Sequence, residues 1–194
     1  MSNATANAPV LRGRAGSPAL VGALCAYAGV AMFVTAACGT YLSVRNSAGG
    51  EFVAPKMLFN NYVAFMTLIT FALASVAAGW AVTAMRVGQR RWTTSGFGLA
   101  VFLNLAAANL LWFLVKSLGL GAFGTTYEVI LYALFIVAAV TTAIGFVASL
   151  SGLLRGLGGQ ATAAQPHYGV LAAWGQHLAG ASWLAIYACI YLLK

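Results

Sequence analysis

The side chains able to do chemistry in this 194-residue chain are few: two histidines, three cysteines and two acids, Glu51 and Glu128. His167 and His177 stand ten apart in one apolar run. On a helix that spacing separates them by about 80° in azimuth and about 15 Å in height, so they cannot close on one metal ion. Cys25, Cys38 and Cys189 lie within apolar runs and show no C-x-x-C spacing. Thirteen residues of helix put Cys25 about 20 Å from Cys38, too far for a disulfide. All three read as small buried apolar side chains. The sequence contains no paired carboxylates, no Ser/His/Asp arrangement and no phosphate-cradling P-loop. It therefore assigns this chain no catalytic residue, no metal ligand and no cofactor-binding residue.

The elements that carry these residues are set by composition. Hydrophobic residues make up 62% of the chain and charged residues 6%, against about 25% charged in a soluble domain. So little charge cannot cover a water-facing surface, so lipid must be the solvent for most side chains. The net charge of +8 does not point to nucleic acid, because the basic residues fall singly or in small groups between apolar runs, with no aromatic-interleaved basic face. Five runs long enough to cross a bilayer cover about 18–43, 58–84, 92–118, 127–154 and 167–193. Residues 1–17 are expected to form a flexible tail. The run that opens at Pro18 is too long for the core of a signal peptide and is expected to remain as a helix. Residues 18–194 then form a single transmembrane domain.

Orientation follows from basic residues in short loops. The tail and the second and fourth loops carry Arg12, Arg14, Arg86, Arg90, Arg91 and Arg155, and the other side carries Arg45, Lys56, Lys116 and Lys194. The bias predicts an all-α integral membrane protein, a five-transmembrane-helix bundle with its N-terminus inside and its C-terminus outside. Thr125 and Glu128 are spaced as a capping box opening the fourth helix. Tyr127, Trp92, Tyr187 and Tyr191 lie near span ends, where amphipathic rings favour the interface. Gly22, Gly29, Gly39, Gly79, Gly98 and Gly145 are expected to serve close helix packing.

Transport paths are usually marked by ionisable groups within the membrane. Here the span interiors hold none of Asp, Glu, Lys or Arg, and Lys116 near a span end can snorkel outward. The polar side chains at depth are Asn104, Asn109, Gln176 and His177, besides Ser and Thr. The two asparagines and Gln176 are expected to act as interhelical hydrogen-bonding groups.

The last run is the most informative stretch. It reads Trp174, Gly175, Gln176, His177, then Gly180, Trp183, Tyr187, and closes on Ile190-Tyr191. It resembles the last helix of subunit III of the haem-copper oxidases, in which a His is followed three residues on by Asp and six on by Trp before an aromatic ending. His177, Trp183, Ile190 and Tyr191 fit that pattern. Met32-Phe33, Tyr41 and Ser43 to Arg45 look like the family's first helix and its exit, and Arg90-Arg91-Trp92 like its entry to the next-but-one helix. The resemblance covers about 18–194 and the short five-helix bacterial form. The sequence departs from the family at its buried ionisable positions. The family's Glu positions fall near Val30 and Leu110, its His-Gly-x-His near Ala138 and Thr141, and its Asp at Gly180. His177, without those partners, is expected to be neutral and bonded to Gln or backbone.

The resemblance implies a noncatalytic, lipid-binding structural subunit in the respiratory chain of a bacterial cytoplasmic membrane. Haem and copper would sit on partner subunits, chiefly the catalytic subunit I, and phospholipid would be bound. The lipid-binding residues it points to are Arg45, His177 and Trp183. Two alternatives stand beside it: a diverged subunit III-like accessory protein of a nitric oxide reductase or another membrane enzyme complex, and a small transporter acting alone.

Overall fold

The computed structural model describes residues 18–47, 60–119, 125–162 and 166–193. Among them lie five α-helices and no strand: α1 (Pro18–Ser47), α2 (Asn61–Arg86), α3 (Arg90–Leu118), α4 (Thr126–Leu157) and α5 (His167–Tyr187). The expected flexible tail, and with it Arg12 and Arg14, lies outside the described residues, as do Glu51, Lys56 and Lys194. Helices α1 to α4 are long and apolar enough to cross a membrane, the mark of a multi-pass membrane protein. Helix α5 differs from the others. Gln176 and His177 dilute its apolar character, and its regular α-helical part stops at Tyr187. Residues Ala188–Leu192 continue it as a π-helical turn, whose wider spacing turns Cys189, Ile190 and Tyr191 into the core.

Helix ends follow local chemistry. Asn60 caps α2 by accepting from the Val63 backbone N–H at 3.1 Å. Thr125 and Glu128 form the expected capping box at α4. The turn from α2 to α3 is only 87–89, shorter than the sequence reading, and Gly88 supplies its positive φ of 77°. Gly119 ends α3 in the left-handed conformation.

Helices α2, α3, α4 and α5 contact one another in a closed ring, and α1 lies outside it against α4 and α5. The ring closes tightly because its contact faces are built from small residues. A Cβ on Gly96 would come within 2.8 Å of the Ala81 Cβ, so α2 and α3 meet almost backbone to backbone. Gly180 faces α2, where a Cβ would meet the Ser75 hydroxyl at 3.0 Å. The glycine expectation holds only in part. Gly145 does pack tightly, but Gly22, Gly29, Gly39 and Gly79 have open space where a Cβ would stand. Periodicity alone does not tell which side of an apolar helix meets another helix.

Among its described side chains helix α1 buries only Val34, Cys38 and Tyr41, one stripe at spacings of four and three. Two polar contacts pin it, one a third of the way along and one near its C-terminal end. The Tyr27 hydroxyl donates to the Leu171 carbonyl at 3.1 Å, and the Arg45 guanidinium donates to the Leu193 carbonyl.

Candidate functional site

The core of the ring is divided. One apolar cluster gathers around Phe71, Leu131, Phe135, Trp183 and Ile186. A second gathers around Phe97, Met85 and the alanines of α2. Between them sits a polar layer formed by Asn104 of α3, Ser149 of α4 and Gln176 of α5, each at most 1% exposed. The Asn104 Nδ2 donates to Gln176 Oε1 at 2.6 Å and to the Ala100 carbonyl at 2.8 Å. The Ser149 hydroxyl donates to the same Gln176 Oε1 at 3.1 Å. The Ala100 carbonyl fixes the orientation of the Asn104 amide, because only the NH₂ end can face it. That choice in turn fixes Gln176. Two polar atoms are left without a hydrogen-bond partner among the described residues: the acceptor Asn104 Oδ1 and the donor Gln176 Nε2.

Small residues make room for this layer. Gly145 of α4 lies against it, where a Cβ would approach Ala179 Cβ at 2.8 Å, Gln176 Oε1 at 3.2 Å and Asn104 Oδ1 at 3.5 Å. The Gln and Asn of the sequence expectation therefore do join helices, across the ring from α3 to α5. Asn109 does not. It is exposed on the outer face of α3.

Asn104 also stands at one end of a groove of about 310 Å³ between α3 and α4. Ala108, Ala139 and Ala143 form its shallow trough, and Trp112, Phe135 and Phe146 supply its aromatic walls. The groove exists because alanines on both helices leave a furrow between larger neighbours. Lys116 rides over the outer ring, its Nζ 4.9 Å from the Trp112 centroid, as a snorkelling residue at a span end would.

The three lipid-site residues of the sequence reading lie apart. Arg45 sits at the end of α1, bonded to the terminal turn after α5. His177 points outward from α5, exposed. The expectation that it bonds to Gln or backbone is not met among the described residues: its ring faces outward, whereas the Gln176 side chain turns inward to Asn104 and Ser149. Trp183 is 1% exposed; its Nε1 donates to the Ala64 carbonyl of α2 at 3.4 Å, and its ring lies 6.0 Å from that of Phe135. Tyr127 and Tyr191, expected at the interface, are buried instead, and the Tyr127 ring lies 6.5 Å from that of Tyr41. Trp92 is exposed as expected and meets Trp80 at 5.4 Å.

At the opposite end Arg90 folds back on the last turn of α4. Its Nε donates to the Gly156 carbonyl at 2.9 Å and its second guanidinium nitrogen to that of Leu157. This is a C-terminal cap supplied from a neighbouring helix. Arg155 stacks on Tyr168 at 4.0 Å. Among the described residues, no three His, Cys, Asp or Glu side chains gather as a metal site. The pair of orphaned amide atoms beside the groove had no signal in the sequence beyond the presence of polar residues at depth. No family model matches this chain, and no curated protein matches it either.

Proposed function

We propose that this chain is a noncatalytic, subunit III-like component of a haem-copper terminal oxidase complex, holding lipid and bracing the catalytic subunit. The observation that carries this reading is the meeting of residues on which the resemblance rests. Tyr41 of α1 and Trp183, Ile190 and Tyr191 of the C-terminal stretch all belong to one buried cluster, and Arg45 closes that end by reaching the Leu193 carbonyl. Residues far apart in sequence thus act together as the clasp between the first and last helices. In this reading the stretch from His167 to Leu193 is the fifth span, with the N-terminus inside. Haem and copper sit on the partner, and phospholipid lies against the outward faces near Arg45 and His177. Trp183 serves the lipid surface from behind, by fixing α5 against α2.

The test is purification of the tagged chain from its native membrane in mild detergent, followed by reduced-minus-oxidised difference spectra and identification of the accompanying chains. The expected result is a co-purifying large subunit with haem absorbance. A colourless homo-oligomer would overturn the assignment.

A further inference from the structure

Two of the three cysteines meet in space. Cys38 belongs to the buried stripe of α1, and Cys189 lies in the π-helical turn after α5. Helix α1 packs against that turn, and both cysteines belong to one buried cluster. The Cys38 thiol is hydrogen-bonded to that of Cys189, and Tyr41, one turn further along α1, stands beside Cys189 as well. Neither cysteine is bridged. Cys25 takes no part: it is exposed, and about 20 Å of helix separates it from Cys38.

Cysteine spacing gives no sign of this pair, because the partners come from opposite ends of the chain. The π-helical turn helps to make it. Cys189, Ile190 and Tyr191 are all buried, whereas an α-helix, turning about 100° per residue, spreads three successive side chains over more than half its circumference. The pair also joins the two elements that most need joining. Helix α1 stands outside the ring with three buried side chains. Its polar contacts are those of Tyr27 to Leu171 and Arg45 to Leu193, and Cys38 falls between them. Two thiols in contact on different helices are one two-electron oxidation away from a covalent link.

We propose that Cys38 and Cys189 are a redox pair whose disulfide fastens α1 to the turn after α5. The oxidant is an apolar organic disulfide dissolved in the membrane, because both thiols are buried and Cys38 lies seven residues before Arg45, about 10 Å further into the bundle. The sulfur of one cysteine attacks the organic disulfide, breaks its S–S bond and expels one organic thiol, which carries away the first proton. The second cysteine then attacks the mixed disulfide and expels the other organic thiol with the second proton. Two protein thiols are oxidised, one organic disulfide is reduced to two thiols, and a reductant reverses the exchange. The inference does not depend on the oxidase reading.

The experiment treats the full, reduced chain in phospholipid nanodiscs with 4,4′-dipyridyl disulfide, then maps the products by mass spectrometry without reduction. The expected product carries a pyridyl adduct on Cys25 alone, with the peptides of Cys38 and Cys189 joined by a disulfide. Cys38→Ala and Cys189→Ala are each expected to abolish the joined peptides while Cys25 still reacts. Oxidation is expected to raise the thermal unfolding midpoint of the parent chain by about 5 °C, to lose that gain on treatment with a phosphine, and to leave the midpoint of Cys38→Ala unchanged. Separate pyridyl adducts on Cys38 and Cys189 would overturn the proposal, as would a link from either to Cys25. It is overturned too if both thiols stay reduced after Cys25 has reacted, or if the bond forms and the midpoint does not rise.

Discussion

Replacing Gly145 by alanine tests whether the polar layer is held at contact distance by backbone proximity. The new Cβ would lie 2.8 Å from the Ala179 Cβ, and that atom cannot rotate away because it is fixed to the α5 backbone. Restoring an ordinary carbon–carbon separation of about 3.6 Å requires α4 and α5 to part by about 0.8 Å. That movement would stretch the Ser149–Gln176 hydrogen bond from 3.1 Å to about 3.9 Å, beyond bonding range. Overpacking a tight contact costs about 1–3 kcal/mol, and a polar contact between membrane helices contributes about 0.6 kcal/mol. The expected loss is therefore about 2 kcal/mol. Gly79→Ala is the control, since a Cβ there meets nothing within 4 Å; it should be neutral or stabilise by up to about 1 kcal/mol through helix propensity. Both are measured by reversible unfolding in mixed micelles with increasing denaturing detergent. If Gly145→Ala proved as harmless as Gly79→Ala, the tight α4–α5 approach deduced above would be wrong.

Trp183→Phe keeps a ring beside Phe135 and gives up only the long bond to Ala64, so it should cost under about 1 kcal/mol, whereas Trp183→Ala should cost about 3–5 kcal/mol by opening a cavity; thermal unfolding in detergent separates the two. Arg90→Ala uncovers the carbonyls of Gly156 and Leu157, and should fray the end of α4, seen as faster amide hydrogen exchange over 158–161. Thr125→Ala removes the capping box and should destabilise by about 1 kcal/mol, with faster exchange confined to the first turn of α4. Arg45→Gln removes the charge from the clasp at Leu193; protease access near the end of α1 should rise while the four-helix ring stays intact.

Helix type and much of the boundary chemistry were legible in advance because they depend on local facts. Run length, apolar content and the Thr125–Glu128 spacing each act within one helix. The boundaries still moved. Helix α1 runs on past Arg45 to Ser47 and α4 past Arg155 to Leu157, because backbone hydrogen bonding continues past the charged residue that ends each apolar run. The candidate site was legible only as a set of polar residues at depth. Nothing local separates Asn104, buried and bonded across the ring, from Asn109, which sits five residues away on the outer face.

The sequence by itself determined a helical protein poor in charged residues, whose side chains need lipid as solvent, and it marked the C-terminal stretch as the most distinctive. Composition and period are enough for that, since they report on solvent and on backbone geometry. Only the tertiary structure decided which face of each helix is internal. It placed α1 outside the ring and turned Tyr127 and Tyr191 inward. It set Gly145 against Ala179 while leaving Gly79 free, and left one acceptor and one donor of two amides without partners beside an aromatic groove. Rotation of an apolar helix about its own axis is fixed by contacts between helices, and those contacts exist only once the helices have packed.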